Sequence, residues 1–473
     1  MEDTTLATES IVLFRNSQGL ESRGTLVRLT RNLAVFEVYN PHSIVQLSEV
    51  LTDIRIRRGD RTTYTGRAVV SNLVSTGLLL LVSVTLVDPW SDLVHLSPGT
   101  ELRQEVTGFI NDWEATHRTI LPDYVLSISR LRNFLQELNR WLEHGDTVAG
   151  IVNGDTSGDD ARQFVLDVAE ETGPKLEHLF QDFEYQARRV PDDDLINHKA
   201  FARRELHPLM LCSPFIHRTY SKPLGYAGDY EMVNMILGDP WRGGSTYAKL
   251  INASFLQADV ALAHRNRIKL LLDSLRLESR RVQALGRPFR VLNVGCGPAV
   301  EVRQFLKDHQ SYGYSEFQML DFSRETLNYV KEKIDQTPGD TAPSAKVDYV
   351  HRSIHDLLKE AAGRKPSRPR HFDMVYCAGL FDYLSDRICK RLLRLFYDWT
   401  LPGGLVLATN VHPRNPIRAI MEHIVEWYLV TRDQQDMLEL AHDLGQHRVF
   451  TESTGTNVLL EIRKPLAPGA NGP

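Results

Sequence analysis

Residues 289–301 read Phe-Arg-Val-Leu-Asn-Val-Gly-Cys-Gly-Pro-Ala-Val-Glu. That is an apolar strand running into a glycine-rich turn and then into a helix. Gly295 and Gly297 let backbone come close to a bound group, and the helix start turns free N–H groups toward an anionic part of it. Asp321 follows 24 positions after Gly297, at the C-terminal end of the next strand. A carboxylate there can accept from both hydroxyls of a ribose. A Gly-x-Gly turn alone also serves as a plain tight connection; the spaced acid makes a nucleoside site the stronger reading. Val300 stands where the dinucleotide fingerprint has its third glycine, which argues against a dinucleotide.

Two further segments hold residues able to do chemistry. Residues 219–231, Thr-Tyr-Ser-Lys-Pro-Leu-Gly-Tyr-Ala-Gly-Asp-Tyr-Glu, crowd Tyr220, Tyr226, Asp229 and Tyr230 into one short span. They read as a lid over a site, with a packing loop as the plainer account. Gly225 and Gly228 sharpen its turns. Asp229 either binds a ligand or caps the helix that starts at Tyr230. Residues 410–416, Asn-Val-His-Pro-Arg-Asn-Pro, follow a later strand at the ligand-facing rim. There His412 is a candidate general base and Arg414 a candidate carboxylate clamp, against the alternative of a proline-stiffened surface loop. Phe381 and Tyr383 add aromatic faces that can line an acceptor site or steady a cation. His351 and His355 read as structural. No His, Asp or Glu cluster has metal-ligand spacing, so no metal is expected.

Elements that would hold these groups alternate along the last third of the chain. Strands are expected at 290–294, 316–320, 347–351, 372–377 and 405–410, with helices at 300–307, 324–334, 386–399 and 416–444. A final strand pair near 448–452 and 457–463 has no helix between and should be antiparallel. The alternation specifies a doubly wound, mostly parallel seven-stranded α/β sheet with helices on both faces. Before it, helical periodicity runs through 102–144, read as a linker or hairpin, and through 161–207 and 255–281, which form a helical cap region. A Gly/Asp/Ser-rich stretch at 144–160 is the candidate hinge. The first 100 residues alternate apolar and polar positions in short strands, at 24–39, 63–72 and 77–86, with a turn at 40–43. They predict a small β-barrel.

The net charge of −5 gives no drive toward nucleic acid, and the basic stretch 364–371 lacks the aromatic interleaving of a strand-binding surface. The four cysteines, Cys212, Cys296, Cys377 and Cys389, form no C-x-x-C pair, which fits a reducing compartment. The N-terminus lacks a secretory signal, and the most apolar run, about 78–87, is half of what a bilayer span needs. A cytoplasmic protein without stable membrane insertion is expected.

Four motifs in order, Val291-Leu-Asn-Val-Gly-Cys-Gly-Pro298, Leu320-Asp-Phe-Ser323, Phe372-Asp-Met-Val-Tyr-Cys-Ala-Gly-Leu-Phe-Asp-Tyr-Leu384 and Leu401-Pro-Gly-Gly-Leu-Val-Leu407, resemble those of class I S-adenosylmethionine-dependent methyltransferases. The resemblance spans about 289–464. It implies S-adenosylmethionine as cofactor. The loop of Gly295, Cys296, Gly297 and Pro298 would hold the methionine part, and Asp321 with Phe322 the ribose. Arg352, Ser353, Ile354 and His355 would flank the adenine, and Cys377 to Leu380, Gly379 included, would lie beneath the cofactor. Asn293 stands where an acid is common in that family, so it brings an amide and no charge to the methionine amine. The run Pro223-Leu-Gly-Tyr-Ala-Gly-Asp-Tyr-Glu231 resembles bacterial proteins assigned to 3-hydroxypalmitic acid methyl ester biosynthesis. That implies a small-molecule acceptor whose carboxylate is esterified; read from their own chemistry, Tyr226, Asp229 and His412 are the candidate catalytic residues and Tyr220, Tyr230, Phe381, Tyr383 and Arg414 the candidate acceptor contacts. Open alternatives are an N- or C-methyltransferase, a lyase that cleaves the cofactor, and a cofactor- or cyclic di-GMP-binding regulator without turnover.

Residues 11–87 resemble a PilZ-type β-barrel, a bacterial module able to bind cyclic di-GMP. Its R-x-x-x-R stretch and D/N-x-S-x-x-G turn are not intact: Leu29-Thr-Arg-Asn-Leu33 takes the turn's place without the glycine. A degenerate module used for packing, homodimerisation or another ligand is therefore expected. The expected organisation is a barrel at 1–100, a helical linker at 101–160, a helical cap and substrate region at 161–285 and the methyltransferase domain at 286–473.

Overall fold

The structure is a computed structural model. It describes residues 10–466, apart from 31, 40–44, 59–60, 76–78, 91–101, 104–105, 109, 112–113, 115–119, 152–153, 157, 308–313, 337–344 and 363–370. The expected turn at 40–43 and most of the basic stretch at 364–371 lie outside the described residues.

Two compact units divide the chain. The first comprises Met1–Ala227, Asp239–Ala258 and Pro416–Tyr428; the second comprises Gly228–Gly238, Asp259–Asn415 and Leu429–Pro473. In the first, strands β1 (Ser10–Arg15), β2 (Glu21–Leu29), β3 (Leu33–Tyr39), β4 (Val50–Arg58), β5 (Arg61–Ser75) and β6 (Leu79–Leu86) close an antiparallel barrel in the order β1-β2-β3-β6-β5-β4. Period-two alternation fills it. Ala34 and Phe36 of β3 are buried opposite Val84 and Val82 of β6.

Helices α1 (Pro122–Val148), α2 (Asp159–Ala187), α3 (Leu195–Met210) and α4 (Pro214–Ser221) follow in the first unit. The second unit contributes α5 (Tyr230–Leu237), and α6 (Thr246–Leu256) returns to the first. Helix α1 starts at Pro122 because proline suits the first helical turn, and its stripe of Tyr124, Ile128, Leu131, Leu135, Leu138 and Leu142 is buried. It also runs on to Val148, so the expected hinge at 144–160 shrinks from both ends.

The second unit continues with α7 (Asp259–Gln283), β7 (Phe289–Val294), α8 (Val300–Lys307), β8 (Ser315–Asp321), α9 (Arg324–Asp335), β9 (Ala345–His351), α10 (Ile354–Ala362), β10 (Phe372–Cys377), α11 (Asp386–Trp399) and β11 (Thr400–Val411). After α12 (Arg418–Ile424) in the first unit come α13 (Gln434–Ala441), β12 (Gln446–Thr451) and β13 (Asn457–Arg463). The seven strands order as β12-β13-β11-β10-β7-β8-β9; β13 runs antiparallel to both neighbours and the other pairs are parallel. Strands β7, β10 and β11 are apolar almost throughout because both sheet faces are covered. Leu292, Val375 and Val406 bury in one layer, Val291, Met374 and Leu407 in the other. Since β8 lies to one side of β7 and β10 to the other, the order reverses between β7 and β10, and their C-terminal ends form the crevice that such sheets use for ligands.

One expected helix is corrected. Residues 416–444 form two helices with an extended stretch between them. The Glu184 carboxylate accepts from the Ala419 and Ile420 N–H groups, at 2.9 Å each, and starts α12. Glu426 is left-handed (φ 50°), which no helix tolerates, and Asp433 with Asp436 builds a reciprocal cap that starts α13 anew. Helix α10 was not foreseen. Among the described residues, no helix is long and apolar enough to cross a membrane, and no group of three or more His, Cys, Asp or Glu side chains is arranged to hold a metal ion.

Candidate functional site

The turn after β7 takes its shape from left-handed residues. Gly295 (φ 66°), Gly297 (φ 50°) and Ala299 (φ 47°) bend the chain from strand into α8. The Gly295 and Cys296 N–H groups both donate to the Leu320 carbonyl, at 2.8 and 3.1 Å, lashing the turn to the end of β8. Asp321 is thereby set against the loop. One carboxylate oxygen accepts from the Gly297 N–H at 3.3 Å and the other from the Ser323 N–H at 2.9 Å. A Cβ on Gly297 would meet nothing within 4 Å, and one on Gly295 only the Leu380 side chain at 3.9 Å. The glycines therefore border open space, and a carboxylate stands beside it.

Burial pushes the Asp321 carboxyl up to about 6, the backbone N–H groups around it pulling the other way. It remains largely ionised at neutral pH. The adjacent Cys296 thiol is raised further by its own burial and by Asp321, and so stays a neutral packing group.

Beneath the loop lies a buried polar cluster. Asn293 donates from Nδ2 to Glu301 Oε1 at 3.1 Å, and the Tyr376 hydroxyl donates to the same oxygen at 2.7 Å. The amide that stands in place of the family's acid thus has its own acid partner, Glu301 of α8.

The C-terminal end of β10 supplies the opposite wall. Gly379 is left-handed (φ 83°) and its N–H donates to Thr409 Oγ1 at 3.0 Å. Phe381 is fully buried in the apolar layer with Leu292 and Val294, so its ring anchors the turn from the inside. Arg432, itself 2% exposed, holds that turn by donating to the Phe381 carbonyl at 2.8 Å, Leu384 carbonyl at 2.6 Å and Asn410 Oδ1 at 2.7 Å. Asp382 accepts from the Val411 N–H at 2.7 Å, and burial raises its carboxyl to about 6. Tyr383 lies hydroxyl-first against Gly228, where a Cβ would overlap it. Close approach, not turn handedness, is what Gly228 provides: the left-handed glycine of this segment is Gly225.

The remaining expected residues are placed as follows. Asp229 is buried and caps α5, accepting from the Met232 N–H at 2.8 Å. Tyr230 stacks on Tyr329 with ring centroids 4.5 Å apart, and its hydroxyl donates to Glu325 at 3.1 Å. Ser353 caps α10 through Asp356, with Ile354 the first helical residue. Phe322 follows Asp321 in the turn before α9, and its carbonyl accepts from His351 Nε2 at 2.8 Å. Cys377 is buried in the core; Pro298 continues the loop. His412 is buried: Nδ1 accepts from the Arg414 N–H at 3.0 Å, which leaves the proton on Nε2, facing Gln434 Oε1 at 3.2 Å. The Arg414 side chain is exposed. Tyr220 and Tyr226 belong to the first unit, where Tyr220 packs edge-on to His207 at 4.4 Å.

Residues 291–404, which hold the glycine turn and the acid beside it, match the family model described as a methyltransferase domain. The chain carries a class I methyltransferase domain. S-adenosylmethionine is its cofactor. The match covers 114 residues within the second unit. A search of curated proteins gave no match. Similar solved structures include a possible exported protein from Bordetella parapertussis, 14% identical over 72% of this chain and 96% of that one (TM-score 0.42). Another is the N-methyltransferase NodS from Bradyrhizobium japonicum in complex with S-adenosyl-L-homocysteine, 14% identical over 43% and 88% (TM-score 0.30). A third is magnesium protoporphyrin IX methyltransferase from Synechocystis with bound S-adenosylhomocysteine, 10% identical over 56% and 99% (TM-score 0.35).

Sequence reading missed Arg267, Asp382, Glu301 and Arg432, all buried polar groups of the methyltransferase unit. Arg267 did leave a signal. It interrupts the apolar stripe Ala263, Leu271, Leu275 of α7 at helical spacing.

Proposed function

We propose that this methyltransferase esterifies the carboxylate of a small, fatty-acid-like molecule, a 3-hydroxy fatty acid being the first candidate. S-adenosylmethionine, when bound, supplies an activated methyl group on a sulfonium. The chain's own residues have three tasks. The Gly295–Gly297 loop gives close backbone approach to the methionine end, Asp321 accepts from the ribose hydroxyls, and the 352–355 turn flanks the adenine. Phe322 and the turn after β10 complete the wall.

The observation that carries the choice of acceptor is His412. Its Nδ1 is occupied by the Arg414 N–H and its protonated Nε2 is turned to Gln434, so it is not a free base. Asp229 is likewise committed to capping α5. An amine or carbon acceptor needs a proton removed, whereas a carboxylate is already ionised at neutral pH. Alignment of the acceptor then supplies the rate. The segment 223–231, with its resemblance to proteins of 3-hydroxypalmitic acid methyl ester biosynthesis, supports the same acceptor class. We assign residues 286–473 to the catalytic domain, 161–285 to a helical cap and 1–100 to a PilZ-like module that packs or dimerises. An intracellular setting suits the four free cysteines.

The test is incubation of the whole chain with methyl-labelled cofactor and 3-hydroxypalmitate, read by mass spectrometry. Labelled methyl ester is expected, at a rate flat from about pH 7 to 9. Label on nitrogen or carbon, or a rate climbing tenfold per pH unit through that range, would overturn the reading of base-free esterification.

A further inference from the structure

Helix α7 buries a guanidinium that is only partly satisfied. Arg267 is 5% exposed, and its Nε and Nη1 have no hydrogen-bond partner. Burying unsatisfied guanidinium donors is costly, and proteins retain such a group where something fills it. The neighbouring acids do not. Asp382 Oδ1 is taken by the Val411 N–H, and Glu301 Oε1 by Tyr376 and Asn293. Both lie close enough to offset the charge, yet neither bonds Nε or Nη1.

The guanidinium has a definite address. Nη1 and Nη2 stand 3.2 and 3.5 Å from the point where a Cβ on Gly379 would lie, and Asp382 Oδ2 stands 3.5 Å from that point. Gly379 follows β10 on the crevice edge of the sheet, the edge that also carries Gly297 and Asp321. A left-handed glycine with no Cβ keeps this spot clear. Arginine's planar array of donors suits a carboxylate better than a lysine's single ammonium does.

We propose that Arg267 anchors a carboxylate subsite beside Gly379. Two sources of that carboxylate are compatible with the methyl-transfer reading on which the proposal rests: the amino-acid end of the cofactor, and the acidic acceptor. Calorimetry on the whole chain separates them, using S-adenosylhomocysteine, 5′-methylthioadenosine (the nucleoside thioether without the amino acid), 3-hydroxypalmitate and its methyl ester. R267M is expected to weaken one carboxylate-bearing ligand at least tenfold and to leave its carboxylate-free counterpart within twofold. R267K should fall between. Selective loss of S-adenosylhomocysteine assigns the subsite to the cofactor; selective loss of the acid assigns it to the acceptor. Equal effects within a pair, or none, overturn the proposal. If R267M does not fold, R267K decides by the same comparison. Wild-type protein that binds neither nucleoside refutes the methyl-donor reading alone, since discrimination of acid from ester by Arg267 stays measurable.

Discussion

At the scale of single residues, Asp321 was legible because its spacing from Gly297 says where the carboxylate sits in an alternating α/β chain. Its environment was not. Only the structure shows it accepting from Gly297 and Ser323 while desolvation raises it to about 6. The consequence is a pH profile for cofactor binding. Ribose hydroxyls donate to the ionised form, so affinity should be constant above about pH 7 and fall, up to tenfold per unit, below about 6. The Asp382 carboxyl titrates in the same range, so a variant must apportion the effect. Asp321→Asn should weaken S-adenosylhomocysteine roughly 10- to 100-fold at pH 7.5, the equivalent of about 1.5–3 kcal/mol for hydrogen bonds to a charged group, and should flatten the profile. Calorimetry between pH 5 and 8 reads both. An unaltered affinity would remove Asp321 from the site. Arg267 and Asn293 show the other side of legibility. Each type was visible, but a partnered amide and a partly satisfied cation differ only in three dimensions.

At the scale of elements, β11 starts five residues earlier than expected, whereas β7 and β10 were legible to within a residue, because burial on both faces writes them as largely apolar runs. The stretch 416–444 was not, because its apolar residues keep helical spacing across the break. What divides it is local: a left-handed Glu426 and a cap at Asp433 whose partner, Asp436, sits at the capping-box distance. Segment 223–231 offered glycines without saying which constraint each met. The tight pair is Gly228 with the Tyr383 hydroxyl. Gly228→Ala should therefore drive the turn after β10 away from α5, at a cost of about 1–3 kcal/mol by overpacking. Tyr383→Phe removes the overlapping oxygen and should recover most of that loss in the double variant. Urea unfolding of both singles and the double closes the cycle, and strictly additive costs would show that the contact does not constrain the turn.

At the scale of the molecule, acid sensitivity follows from groups that folding strips of water. In the first unit, His423 lies buried with Nδ1 2.8 Å from the Tyr124 hydroxyl, and burial holds it well below its ordinary range; His198 and His207 are lowered by the same cause. A base lowered on folding stabilises fully above its unfolded pKa, near 6.5, and loses that contribution as pH drops and the unfolded chain takes up protons. Buried acids work the other way. Glu49 and Glu184 are raised by desolvation, so their protonation favours the fold as pH falls toward 4. The two sets oppose each other, and the bare pH–stability curve cannot apportion them. A difference curve can. Tyr124→Phe with His423→Phe removes one neutral histidine and its hydroxyl partner together, along with the bond that hydroxyl donates to the His198 carbonyl at 3.0 Å, a loss that does not vary with pH. The stability gap between wild type and this variant should be constant above pH 7 and shift in the variant's favour by up to about 1.4 kcal/mol per pH unit below about 6.5. Denaturant titrations at pH 8, 7, 6 and 5 measure it. A gap that does not move would mean that His423 is charged in the folded protein, and that its place against Tyr124 is maintained by something other than exclusion of water.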